Sequence, residues 1–474
     1  MIPKSFEGIG KFQESIISGT NSIENNLSEE IQNIESYNAR LNAFITLFGL
    51  DSDPIRNQES ALEKFGKKSS SIDGRNRPKK RESPQLIGRF PLLGIPLTIK
   101  DNIFFSGFKT TAGSGAFQDF VPRNNGDVVD LFLSAGCVPL GKTNLHELAM
   151  GATSSSSFFG PVRNPVDSSR ISGGSSGGSA VSVAMSKGAI IGLGTDTGGS
   201  VRIPAALCGV CGFKPTIGII PTSGIFPLSA TLDHAGIMTK TMADMVTAFR
   251  AIDRLQPDQK TSGLNRSASS KVKMGIPNDY FFEDCEKNVS RAFWNAIDKM
   301  RKSDQFAIEE KVTIPNYSRM SRIRRSIQVK EASWFYEELV SKPEKRALVR
   351  PDVLSFLVAG SKIWMMEYMV SSLERLEFIT GMQKVFGRVD FLAMPTCLIS
   401  APRLDDVAGK EAGSIRRQLV RNTEPFNLCG FPSLSIPTNR LGSPSLPTAI
   451  QISGMSNNDL ELLQAGQKIW DCLH

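Results

Sequence analysis

Apolar positions at helical spacing open the chain. Ile31, Ile34, Tyr37, Leu41, Phe44, Ile45 and Phe48 predict one helix over 28–48, with Ser28 as its N-cap. The apolar run 91–100 then predicts a buried strand that ends at Lys100. Asp127 caps a predicted helix over 128–135, which Gly136 stops, and a strand follows over 137–140. The pattern next gives a helix over 179–187, a strand over 189–193 and a helix starting near Met242. Further on it gives a strand over 272–276 and a helix marked by Val289, Phe293, Ile297 and Met300. Residues 318–388 read as mostly helical, with loops near 342–345 and Pro351. Strands are expected at 390–394, 434–436 and 448–452, and Ser456 with Asp459 predicts a capping box that opens the last helix. Strands and helices alternate, which predicts an α/β architecture on a central sheet.

Composition narrows this picture. At 474 residues, 40% hydrophobic and 22% charged, the chain can bury a large core. No apolar run has the length of a bilayer, and the N-terminus lacks a signal peptide's apolar core, so a cytoplasmic protein without a membrane segment is expected. Much of the net charge of +8 lies in one run from Lys67 to Arg81. It has no interleaved aromatics, so it predicts a solvated loop rather than a nucleic-acid patch. Seven dispersed cysteines argue against a disulfide framework. Cys208 and Cys211 form a single pair without a second pair or nearby histidines, which favours packing over zinc. With only His146, His234 and His474 present, a His-rich metal site is nearly excluded, and a hydrolase of this composition is expected to use another base. His146 and His234 are read as packing or hydrogen-bonding residues.

Two glycine-serine turns carry the candidate chemistry: Gly173 to Gly178, and Gly198-Gly199-Ser200. Such segments are often linkers. Here the apolar Ala189-Ile190-Ile191 lies between them, which predicts a buried pair of loops. Serines between glycines offer a hydroxyl nucleophile with free N–H groups for an oxyanion. Lys100, closing an apolar strand, is either a snorkelling surface residue or a desolvated amine able to act as a base. Asp196 and Arg202 read as a structural pair, because a carboxylate beside a developing oxyanion would oppose it.

Together these segments resemble the amidase signature family. The match is carried by Gly94 to Asn102, Gly141-Lys142-Thr143-Asn144, Gly173 to Ala180, Gly194 to Pro204 and Cys211 to Thr216. It is strong over 90–250, weakens over 255–388 and returns at Met394-Pro395-Thr396 and Asn427 to Pro432. The resemblance implies one large α/β domain, 1–474, with a central mixed sheet flanked by helices. Within it fall an N-terminal helical segment (1–65), a basic surface loop (66–88), a catalytic core (89–250), a variable substrate-side region (255–390) and a C-terminal part of the core (391–474). It further implies a Ser-Ser-Lys triad: Ser200 as nucleophile, Ser175 as the bridge, often through a cis peptide, and Lys100 as base. One residue more than usual separates the two serines, near Ser186-Lys187-Gly188. The N–H groups of Thr197, Gly198, Gly199 and Ser200 are expected to form the oxyanion hole, and Met150, Gly151, Ser176 and Arg350 to contact substrate. No cofactor or metal is implied.

Two activities fit the resemblance. One is a stand-alone hydrolase of small or aryl amides, extending to carbamates and esters. The other is that of the A component of a glutamyl-tRNA(Gln) amidotransferase, which takes ammonia from glutamine. That component usually grips glutamine with an arginine and an aspartate; Arg350 could match the arginine, but Val420 stands at the aspartate position and Arg324-Arg325 near a usual tyrosine. A missing carboxylate would leave the ammonium of glutamine unpaired, which favours the stand-alone enzyme. The expected partner is a small-molecule amide, with room for a homodimer, and with nucleic acid only in the amidotransferase case.

Overall fold

The computed structural model describes residues 8–18, 20–53, 55–56, 87–255, 271–407, 413–443 and 445–474. Most of the expected basic loop, 66–86, lies outside them. Eleven strands among the described residues form one mixed sheet: β1 (Phe44–Leu47), β2 (Pro96–Lys100), β3 (Val138–Thr143), β4 (Ile191–Thr195), β5 (Cys211–Lys214), β6 (Ala235–Thr239), β7 (Val272–Pro277), β8 (Phe306–Val312), β9 (Phe391–Pro395), β10 (Ser433–Pro437) and β11 (Ala449–Gly454). Their order is β1-β3-β2-β4-β6-β5-β10-β11-β9-β7-β8. β2 runs parallel to both β3 and β4, and β7 parallel to β8 and β9. The central strands β2 to β6 and β9 to β11 are buried along their whole length, as helices cover the sheet, although β3, β10 and β11 carry polar residues.

Several local expectations are corrected. The helix expected at 28–48 is Ile23–Leu41, preceded by a helix Ile9–Ser18; it is capped by Ser22 rather than Ser28 and does not reach residue 48. Asn42 adopts a left-handed backbone (φ 54°) and ends it. Phe44 then starts β1, pinned by its N–H on Asn38 Oδ1 at 2.8 Å. Phe44 and Phe48 are buried in either arrangement, so apolar spacing alone could not separate helix from strand. Asp127 is the first residue of the Asp127–Ser134 helix, not its cap, which is Gly126. Pro343 does not sit in a loop but begins the helix Pro343–Arg346, while Pro351 follows the expected loop, at 347–350, and begins Pro351–Ser361, as the missing N–H of proline permits in a first turn. The last helix, Asp459–Leu473, has no capping box. Asp459 instead accepts from Thr216 N (2.8 Å) and Oγ1 (2.6 Å).

The helix expected at 179–187 is Gly177–Met185, and the strand expected at 189–193 is β4, displaced two residues toward the C-terminus. That displacement matters for the site. It carries β4 to Thr195, beside the end of its parallel neighbour β2, whose last residue is Lys100.

Candidate active site

Lys100 is fully buried at the carboxyl end of β2. Its Nζ donates to Ser175 Oγ at 2.7 Å and to Thr195 Oγ1 at 2.7 Å. Both partners are neutral hydroxyls. Burial therefore lowers the amine to about 7, with the charges of Asp196 and Asp233 opposing the shift. Two other buried lysines provide a contrast. Lys142 faces Asp101 (Nζ to Oδ1 2.9 Å), so it has a carboxylate as partner. Lys214 is also brought to about 7, first by burial and then by Arg202, but it donates to the carbonyls of Pro215 and Phe431. Desolvation alone does not set Lys100 apart; its contact with a serine hydroxyl does.

Ser175 follows a cis peptide bond from Gly174. Its carbonyl accepts from His146 N (3.1 Å) and Ser154 Oγ (3.2 Å), which fixes the turn. Ser176 was expected to touch substrate. Its hydroxyl instead bonds Thr195 O (3.2 Å) and accepts from Thr195 N (3.3 Å), so it ties the turn to β4. The N–H of Ser176 donates to Ser200 O (3.1 Å) and thereby joins the two serine turns. Ser200 is 9% exposed, whereas Ser175 is fully enclosed.

The turn that carries Ser200 is built around the Asp196 carboxylate. Asp196 accepts from Gly199 N (2.9 Å), Val201 N (3.1 Å), Arg202 Nε (3.0 Å), Arg202 Nη2 (2.8 Å) and Asn427 Nδ2 (2.8 Å). Burial would raise this carboxyl; the Arg202 guanidinium outweighs burial and holds it well below the usual range. The pair shapes the turn through these bonds. One expectation narrows. The N–H of Gly199 is committed to Asp196, which leaves Thr197, Gly198 and Ser200 as the candidate oxyanion donors. Gly199 has φ +127°, and a Cβ there would meet Thr423 Oγ1 at 2.2 Å, so only glycine fits. Replacing Arg202 with Met leaves Asp196 charged and buried without its counter-ion. Unfolding experiments in urea are expected to show a loss of about 3–5 kcal/mol, the usual cost of breaking such a pair.

The remaining expected contacts fall around a second loop. Gly151 packs under His146: a Cβ would lie 2.2 Å from the ring. Met150 is buried in an apolar cluster with Leu148, Tyr336 and Val353. Arg350 has an exposed side chain, and its N–H donates to Glu147 Oε2 at 2.8 Å. His146 is bonded to Asp352 Oδ2 (3.2 Å) and Thr153 Oγ1 (3.3 Å). His234 has Nδ1 on Leu232 O at 2.8 Å. Neither histidine touches Lys100, Ser175 or Ser200 through a hydrogen bond of its ring among the described residues.

Three groups have a place at the site that the sequence reading does not give them. Thr195 is the second partner of Lys100; only the two-residue shift of β4 reveals it. Asp101 holds Lys142, although both lie inside segments that the resemblance quotes. Arg324 lies at the Ser200 turn, with Nη1 3.7 Å from where a Cβ of Gly198 would stand, and it pairs with Glu424 Oε2 at 2.7 Å. The partners are 100 residues apart, so no local pattern announces them.

The family model described as Amidase matches residues 26–463. The glutamyl-tRNA(Gln) amidotransferase A component of Methanosarcina barkeri is 33% identical over 418 residues, covering 79% of this chain and 84% of that protein. The protein of the same name from Moorella thermoacetica is 31% identical over 465 residues, covering 92% and 90%. Among solved structures, one described as an amidase superposes with a TM-score of 0.83 at 28% identity, over 98% of this chain and 100% of that one. The glutamyl-tRNA(Gln) amidotransferase A component of Thermotoga maritima superposes with a TM-score of 0.72 at 26% identity, over 95% and 92%.

Proposed function

Since the chain belongs to the amidase signature family, whose enzymes act on the C–N bond of amides, we propose that it cleaves a carboxamide through an acyl-enzyme on Ser200, with Ser175 and Lys100 moving the proton. The observation that carries this reading is the 2.7 Å bond from a fully buried Lys100 to Ser175, both of its hydrogen-bond partners being hydroxyls. A neutral amine there can take the proton of Ser175 as Ser175 takes that of Ser200. Ser200 Oγ then bonds the carbonyl carbon. The charge that grows on oxygen meets the N–H groups of Thr197, Gly198 and Ser200, and each such donor is worth about 3 kcal/mol in the transition state. Collapse breaks the C–N bond. The leaving nitrogen receives the relayed proton, and water repeats the path to release the carboxylate. In the ground state the Ser175 to Ser200 hydroxyl link is not a hydrogen bond among the described residues, so this step draws on a reorientation of Ser200 as substrate arrives.

For the amide itself, the relatives reverse the order expected from the sequence. The amidotransferase reading is supported better than that of a generic hydrolase, because the curated relatives at 28–33% identity carry that name. Glutamine is then the amide and ammonia the leaving group. The stand-alone reading keeps one specific support: Val420 stands where a carboxylate would be wanted for the ammonium of glutamine, and it packs partly buried against an apolar cluster. Ammonia release from glutamine and product release from aryl amides, measured on the purified chain alone and with the other components of an amidotransferase added, separate the two. Glutamine turnover that appears or rises with the added components supports the first reading. Rapid aryl amide turnover by the chain alone, with glutamine inert throughout, overturns it in favour of the second.

A further inference from the structure

Along the turn from Thr195 to Val201 the peptide units are tied down one after another. Thr195 O accepts from Ser176 Oγ, and Asp196 N donates to His234 O at 2.8 Å. Asp196 O accepts from His234 N (3.2 Å) and Asn427 Nδ2 (2.9 Å). Gly198 O accepts from Thr423 Oγ1 (2.7 Å), and Gly199 O from Ile203 N (2.7 Å). Ser200 O accepts from Ser176 N. The unit between Thr197 and Gly198 is the exception. Among the described residues neither Thr197 O nor Gly198 N makes a hydrogen bond. That unit carries the Gly198 N–H, one of the candidate oxyanion donors. It ends at a glycine, where a Cβ would meet nothing nearer than Arg324 Nη1 at 3.7 Å, so crowding does not hold it either. A flip of this unit would exchange the Gly198 N–H for the Thr197 carbonyl, which repels a growing negative charge.

The restraint lies in the Thr197 side chain. Its hydroxyl donates to Asp233 Oδ1 at 2.5 Å. Threonine is β-branched, so pinning its rotamer narrows the ψ it can adopt, and ψ of Thr197 is the rotation that turns the Gly198 N–H. Asp233 is itself a fixed post. Its Oδ2 accepts from Leu228 N (2.8 Å) and Ser229 N (3.0 Å). Glu331, on the helix Tyr317–Phe335, clasps the same loop: it accepts from Ser229 Oγ (2.6 Å), Thr231 Oγ1 (2.7 Å) and Thr231 N (3.2 Å). Tyr368, on the helix Met365–Phe386, donates its hydroxyl to Glu331 at 2.9 Å.

We propose that Asp233 is a positioning residue: through the Thr197 hydroxyl it keeps the Gly198 N–H turned toward the oxyanion, and Glu331 anchors the loop that carries it. This rests on the acyl-enzyme reading above, with Ser200 as nucleophile.

Steady-state kinetics with a p-nitrophenyl ester test it. They are run at about pH 8.5, where Lys100 is neutral, so that the charge Asp233 casts on that lysine does not enter. Asp233→Ala is expected to lower kcat about 10- to 100-fold with KM within about twofold, the scale of one misaimed donor. Asp233→Asn, which can still bond both the hydroxyl and the loop, is expected to recover most of that loss. Thr197→Val removes the other end of the same bond and keeps the N–H, so it is expected to match Asp233→Ala, and it decides alone if Asp233→Ala does not fold. The double variant is expected to lose no more than the worse single one, within about twofold, because both remove one interaction. Folded single variants with wild-type kcat, a loss confined to KM, losses that multiply in the double variant, or Asp233→Asn no better than Asp233→Ala overturn the proposal. Wild type that neither turns over the ester nor carries its acyl group on Ser200 overturns the acyl-enzyme reading itself, and this inference with it.

Discussion

Ser200→Ala is expected to lower kcat on any amide substrate by at least about 10⁴-fold, the scale seen when a serine nucleophile is removed. The fold is expected to survive. The bonds that shape its turn run from Asp196 to the N–H groups of Gly199 and Val201 and to Arg202, not to the Ser200 hydroxyl. Substrate binding is expected to persist, so KM or an inhibitor constant moves little while turnover disappears. Mass spectrometry after a quench of wild type with a slow ester gives the complementary result: one acyl group on the peptide that contains Ser200. An acyl group on Ser175 or Ser176, or a Ser200→Ala variant that keeps a tenth of the rate, would displace Ser200 from its role.

Lys100→Met is expected to be as damaging to turnover and harmless to the fold. The base must be neutral, and burial brings this lysine to about 7. In wild type, kcat/KM should therefore climb with slope one below about pH 7 and level off above it. Lys214 titrates in the same range and bonds carbonyls rather than either serine, so Lys214→Met is expected to leave the midpoint of the profile in place. The stability consequence has a definite sign. The folded pKa of Lys100 lies below the ordinary 10.5. Between about 7 and 10.5 the unfolded chain binds the proton more tightly than the folded one, so the group destabilises the fold there, fully so below about pH 7. Lys100→Met removes that penalty and two hydrogen bonds together. Its melting temperature at pH 6 should be no lower than that of wild type. A large drop would make Lys100 a structural residue.

Legibility in the sequence followed the range of the interaction. Lys100, Ser175 and Ser200 each sit in a short stretch whose glycines and apolar neighbours betray a constrained backbone, and the resemblance supplied their roles. The alternation of strands and helices was readable because each element buries a periodic face. The errors came where two structures bury the same residues: Phe44 and Phe48 fit a helix or a strand. They also came where a group's partner is remote. Asp459 reads as the partner of Ser456 in a capping box because Thr216, 243 residues away, is invisible from its own neighbourhood. Ser176 looked available for the same reason, since its partner Thr195 belongs to a strand whose end was placed two residues early.

The Asp196 carboxylate gathers both limbs of the Ser200 turn and two distant segments, through Arg202 to Thr423 and Gln451 and directly to Asn427. Loosening such a hub breaks bonds to several segments at once. The active arrangement should therefore persist unaltered on warming and vanish only with the cooperative melting of the domain, so that residual activity and native signal trace one curve against temperature.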